Sequence, residues 1–130
     1  MAESKSRNVV VTLKVGKSDN GKNAALAFSC GLSALAMGHR SVVFLTGDGA
    51  VWGYKGSADG IAVQGFPPLA DMIEDYIASE GRVILCSVCH RTCSTGGPGQ
   101  RSATEKLESA EIAGFATILE LAADGITMSF

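Results

Sequence analysis

Apolar and polar positions fall in blocks that alternate along the chain. Val9 to Val15 is a largely β-branched apolar run, the composition of a strand covered on both faces. Gly16 to Gly21 is a polar, glycine-bounded loop. Ala24 to Met37 then reads as a helix that Gly38 ends. Its residues are apolar or small on every side, so both faces need cover. A sheet can supply one cover, and a neighbouring subunit best explains the other. Ser41 to Thr46 is a second buried strand, broken by Gly47-Asp48-Gly49. Residues 50 to 65 are glycine-rich and give no assignment. Pro67 and Pro68 open a helix whose Leu69, Met72, Ile73, Tyr76 and Ile77 form an amphipathic stripe, ended by Gly81. Arg82 to Leu85 leads a third strand that delivers Cys86 at its carboxyl end, and a loop through Gly99 follows. Ser102-Ala103-Thr104-Glu105 has the spacing of a capping box and predicts a short helix. Glu108 to Ala113 is a short strand, and Phe115 to Ala123 a helix closed by Gly125. Ile126, Met128 and Phe130 alternate with Thr127 and Ser129, a final strand with one face in the core. This alternation of strands and helices predicts an α/β fold in one domain over residues 1–130. It is expected to have three layers, α/β/α, around a mostly parallel sheet of about five strands.

Composition narrows the class. At 130 residues and 13.4 kDa the chain buries a full core without staples. Apolar residues make up 46% and mean hydropathy is +0.22, which excludes disorder. Charged residues make up 18%, below the usual share of about a quarter, as in a protein that hides surface in an oligomer. The net charge of −2, with scattered Lys and Arg, gives no basic stripe for a nucleic acid. Asn23 to His39, the longest uncharged stretch, carries too many polar residues to span a membrane. The polar start, Met1 to Arg7, shows no export signal, so a cytoplasmic, reducing compartment is expected. Cysteines there act as thiols, ligands or catalysts rather than structural disulfides.

Three of the four cysteines, Cys86, Cys89 and Cys93, lie within eight residues directly after a buried strand. Chemistry in open α/β sheets collects beyond the carboxyl ends of strands, where a thiol is expected to stand open to partners. Its thiolate is the reactive form, favoured by nearby positive charge. His90 and Arg91 are the expected thiolate-stabilising residues, with Arg101 a further source of charge. Cys30, inside the apolar helix, reads as a small packing residue, and His39 as a structural residue at a turn.

Several chemistries compete for this loop. Cys86-Ser87-Val88-Cys89-His90 fits C-x-x-C-H, the covalent haem pattern, but that attachment belongs to exported proteins. Cys86, Cys89, Cys93 and His90 supply four metal-ligand types, yet His90 adjoins Cys89 and no second ligand pair exists. Thiol exchange needs only a second thiol near the first. Cys86 is then the reactive thiol, with Cys89 or Cys93 to resolve its persulfide. Separately, Gly16 to Lys22 fits the phosphate-loop spacing G-x-x-x-x-G-K. Asn23 stands where Ser or Thr should bind magnesium, and Asp19 puts negative charge in the cradle. A polar loop capping the first helix is the simpler reading.

The order of these pieces resembles the DsrE/DsrF-like proteins over nearly the whole chain. Ala36 to Gly49, Pro68-Leu69, Leu85 to Cys89, Ala110 to Gly114 and Ile126 to Phe130 carry the resemblance. It implies a small α/β protein in which Cys86 holds a persulfide and passes sulfane sulfur along a relay. Cys89 matches a second cysteine of many members. The resemblance also implies donor and acceptor partner proteins and a trimer or hexamer. No cofactor or resident metal is expected. Many members have Arg-Gly where this chain has Cys93-Ser94. The expected function is an intracellular sulfur carrier or sulfurtransferase. A non-catalytic oligomeric binding or regulatory protein of the same fold is the alternative, and a metal site at the cysteine loop a lesser one.

Overall fold

The computed structural model describes residues 6–92 and 105–130, apart from the side chain of Thr92. Cys93, the glycines from Gly96 to Gly99, Arg101 and most of the capping box, Ser102 to Thr104, lie outside the described residues.

The strands are β1 (Asn8–Leu13), β2 (Arg40–Leu45), β3 (Arg82–Cys86), β4 (Ala110–Ala113) and β5 (Ile126–Ser129). They form one sheet in the order β4-β3-β2-β1-β5, with every pairing parallel. The helices are α1 (Lys22–Ala36), α2 (Leu69–Ala78), α3 (Ser87–Thr92) and α4 (Phe115–Ala122). Alternate residues of a strand point to opposite faces. Ser41 of β2 bonds Tyr76 of α2, whereas Phe44 meets Phe115 of α4 edge-on at 6.1 Å. Helices α1 and α2 therefore cover one face and α4 the other, which is the three-layer α/β arrangement expected.

Gly49 brings two loops together: a side chain there would collide with the Leu13 carbonyl. The glycine-rich stretch after β2 becomes a 3-10 segment, Gly47–Gly53, that buries Trp52, whose indole donates to the Val15 carbonyl at 2.9 Å. Two isolated antiparallel bridges, Tyr54 with Lys106 and Ala62 with Pro68, tie down the chain between this segment and α2.

On the α1/α2 side the core closes around Tyr76. Its ring is fully buried and meets Phe28 of α1 edge-on at 5.5 Å. Its hydroxyl donates to the Arg82 carbonyl and so accepts from Ser41, at 2.9 Å. Burial pushes the phenol up to about 12, so it is a neutral donor at any physiological pH. Gly31 makes room: a Cβ there would lie 2.7 Å from the Tyr76 ring.

Two expectations are corrected. The final strand does not bury one face, because β5 is an edge strand and Ile126 and Met128 remain 36% and 45% exposed. Nor does Glu105 belong to a helix: the described residues beyond the capping box run into the Lys106 bridge. Helix α1 buries Ala24, Ala25, Ala27, Phe28, Gly31 and Ala34 and leaves Leu26 and Met37 outside. Among the described residues no helix is long and apolar enough to cross a membrane.

Tyr76→Phe should lower stability by about 1–3 kcal/mol, because the lost hydroxyl leaves the Ser41 hydroxyl and Arg82 carbonyl without their partner. Urea unfolding would show a lower midpoint at unchanged slope.

Candidate functional site: a cysteine pair at the end of β3

Strand register builds the site. Phe44 pairs with Ile84 and Leu45 with Leu85. One step further, Thr46 and Cys86 leave the two strands side by side, on the face that Phe44 and Ile84 share. Immediately after Cys86 the chain turns into α3, which carries Cys89 back over the end of the sheet. The polar cysteine segment therefore begins as a helix and not as the loop its composition suggests; no Gly or Pro interrupts residues 86 to 92.

Cys86 and Cys89 hydrogen-bond each other through their sulfurs. Gly47 donates its backbone N–H to Cys89 Sγ at 3.1 Å, and Thr46 Oγ1 lies 3.7 Å from the same sulfur. Burial alone would push the Cys86 thiol up. The N–H of Cys89, the Thr46 hydroxyl, the Cys89 thiol and the N–H of Val88 outweigh it, and hold Cys86 below the ordinary thiol value of 9.0. Cys89 moves the other way. Burial raises it, and a negative Cys86 beside it raises it further, against the pull of Thr46 and Gly47. The two thiols therefore titrate as a pair, in which these donors favour a thiolate at Cys86.

This arrangement departs from the sequence reading in two respects. The Cys86 thiol does not stand open: it is 1% exposed, and Cys89 9%, because the first turn of α3 and the Thr46-Gly47 corner close over the sulfurs. Thiolate stabilisation comes from Thr46 and backbone N–H groups, while His90 and Arg91 are placed elsewhere. Neighbouring helical residues project about 100° apart, so His90 cannot share the inward direction of Cys89. It stacks on Tyr54 with centroids 5.9 Å apart and hydrogen-bonds the Tyr54 hydroxyl through Nδ1. Arg91 is exposed. Sequence reasoning missed Thr46 and Tyr54. A lone Thr at a strand end carries no signal until the register of a strand about 40 residues away is known.

A third cysteine of the expected set, Cys93, lies outside the described residues. Among those described, no three His, Cys, Asp or Glu side chains converge on a common point where an ion could sit. Cys30 is half-buried, with its thiol raised by burial and 3.8 Å from Met128 Sδ, consistent with packing. His39 Nδ1 accepts the Arg7 N–H at 3.1 Å, a turn contact.

The phosphate-loop spacing has a structural answer. Asp19 turns its carboxylate onto the start of α1, taking the N–H of Gly21 at 3.0 Å, the N–H of Asn23 at 2.8 Å and the Asn23 side-chain amide at 2.8 Å. The donors that would cradle a phosphate hold the chain's own anion instead. Burial works to raise Asp19, but these bonds prevail and hold it below the usual 3.8. Its stabilisation is therefore present above that pH and lost as pH falls through the depressed value. Asp19→Ala should cost about 1 kcal/mol near neutral pH and nothing once the wild-type carboxyl is protonated, as read from thermal unfolding across pH.

For the cysteine pair, titration of thiolate absorbance should show the first ionisation below 9.0, absent in Cys86→Ser, and that of Cys89 later.

The sequence matches the DsrE/DsrF-like family over residues 9–130, a family generally associated with sulfur relay. No curated protein sequence matches the chain. Among solved structures, the ychN protein from E. coli superimposes with a TM-score of 0.71 at 15% identity, covering 97% of this chain and 100% of that one. At that identity the likeness concerns the fold, and it reproduces the parallel five-stranded sheet between helices. Together with the family match across nearly the whole sequence, this makes the chain a member of the DsrE/DsrF-like family.

Proposed function

We propose that the protein is a sulfur carrier that holds sulfane sulfur on Cys86 and yields it to a partner protein. The observation that carries the reading is the placement of two thiols at the carboxyl end of β3: α3 sets Cys89 one helical turn from Cys86, and the Gly47 N–H donates to the Cys89 sulfur at 3.1 Å. A thiolate at Cys86 attacks the outer sulfur of a donor persulfide, R–S–SH. The bond from Cys86 Sγ to that sulfur forms, the donor S–S bond breaks, and R–S⁻ leaves with the electron pair. The terminal sulfur on Cys86 then passes to an acceptor thiolate by the same exchange. Cys93 and Cys89 are the proposed alternatives for resolving the loaded state. Because Cys86 is nearly sealed, loading requires its sulfur to be uncovered while a donor is docked.

The apolar surface supports an oligomer as the working form. None of the eight residues of α4 is buried, and Phe115 and Leu119 are 57% and 70% exposed. Elsewhere, Leu26 and Met37 at α1 and Ile126 and Met128 of β5 are also open. Surfaces of this kind mark association sites. A homo-oligomer, trimer or hexamer, would cover them, and a cytoplasmic setting would keep the thiols reduced.

One observation favours a second reading. The 1% exposure of Cys86 is what a non-catalytic binding or regulatory member of the fold would show.

Incubation of reduced protein with polysulfide should add one sulfur atom, about 32 Da, in intact-mass spectra, and Cys86→Ser should abolish the gain. No gain on reduced wild-type protein would favour the binding reading.

A further inference from the structure

The Thr46 hydroxyl has one proton and two sulfurs within its reach. It lies 3.7 Å from Cys89 Sγ and also hydrogen-bonds Cys86. A hydroxyl hydrogen rotates freely about its C–O bond, so it can address either acceptor without movement of a heavy atom. The other donors have no such choice. The Gly47 N–H is fixed on Cys89 by the backbone, and the N–H groups of Val88 and Cys89 are fixed on Cys86 by the first turn of α3.

We infer that Thr46 is a positioning residue that serves the two cysteines in turn, donating first to the Cys86 thiolate and then, once Cys86 carries a substituent, to the sulfur of Cys89. In the singly ionised pair the N–H groups of the first turn of α3 favour the charge on Cys86, and a donor gains most by pointing at charge. After Cys86 has taken up sulfur, charge moves outward to the terminal sulfur. The hydroxyl is then released to Cys89, whose thiolate the Gly47 N–H already favours.

The second stage rests on the sulfur-carrier reading, whereas the first does not. It makes Cys89 the resolving thiol. Cys89 Sγ attacks the inner sulfur of the Cys86 persulfide, the Sγ–Sγ bond forms, and the bond to the terminal sulfur breaks. That sulfur leaves with the electron pair and, with the Cys89 proton, departs as hydrosulfide. Two electrons pass from the thiol pair to the sulfane sulfur, and an external dithiol is needed to restore the carrier. A loaded protein that meets no acceptor thus discharges its own sulfur as sulfide.

Thr46→Val keeps the shape of the side chain and removes the donor, and Thr46→Ser restores the donor without the methyl group. Thiolate absorbance titration of the reduced proteins reads the first stage. Thr46→Val should move the first ionisation upward by about one pH unit, a tenfold smaller thiolate fraction below the transition, and Thr46→Ser should return it. Sulfide release from polysulfide-loaded protein, with no acceptor added, reads the second. It should slow severalfold in Thr46→Val, stop in Cys89→Ser and recover in Thr46→Ser. Thermal unfolding checks that each variant is folded, and Thr46→Ala substitutes if the valine is not. An unchanged first ionisation in folded Thr46→Val or Thr46→Ala overturns the inference, and so does a Thr46→Ser that behaves like the valine. Failure of the wild type to load sulfur would count against the carrier reading alone, because the titration still decides the role of Thr46.

Discussion

The pairing of β2 with β3 is the constraint on which the site depends. Two parallel strands held in register bring Thr46 beside Cys86 on one face, although a helix and a long stretch of chain separate them. A slip of one residue would send Thr46 or Cys86 to the opposite face. Register is fixed by burial on both sides: Val42, Val43, Phe44 and Leu45 of β2 and Val83, Ile84 and Leu85 of β3 are all within 3% of full burial. The packing of the sheet thus sets the chemistry of a sulfur at its edge.

At that edge two opposed effects act on the same atom. Withdrawal from water disfavours a thiolate, and donors aimed at the sulfur favour it. For Cys86 the donors prevail, and for Cys89 they do not, although the two sulfurs share Thr46 and touch each other. The difference lies in geometry: α3 starts at residue 87, so its first free N–H groups point back at Cys86. Among the described residues the donors that lower Cys86 are backbone, hydroxyl and thiol groups rather than positive side chains. A site of this kind keeps its polarity wherever surface charge is screened, because its donors lie inside the fold.

Much of the architecture is legible in the sequence. Apolar, β-branched runs near Val9, Ser41 and Arg82 mark the central strands, and the stripe from Leu69 to Ile77 marks α2. The position of Cys86 at a strand end follows from the length of the apolar run before it. Asp19 announces itself as a misplaced charge in a phosphate loop. Other features leave no local trace. Alternation in β5 shows that its two faces differ, but not that its apolar face lies at an open edge. The burial of Cys86 depends on α3, and no cap or periodic stripe announces a six-residue helix. In the sequence His90 stands as a charge beside a thiol, whereas the helical turn carries it away from the sulfurs to Tyr54.

The strand order also bears on how the chain assembles as it is made. Strand β1 pairs with β2 on one side and with β5 on the other. During synthesis from the amino end, β1, α1, β2, α2 and β3 can collapse together early, but the outer edge of β1 has no partner until β5 has emerged. For that interval a hydrophobic strand presents unpaired N–H and carbonyl groups to other nascent chains, the geometry that templates aggregation. The last strand of the sheet to be translated is therefore the one that shields the first.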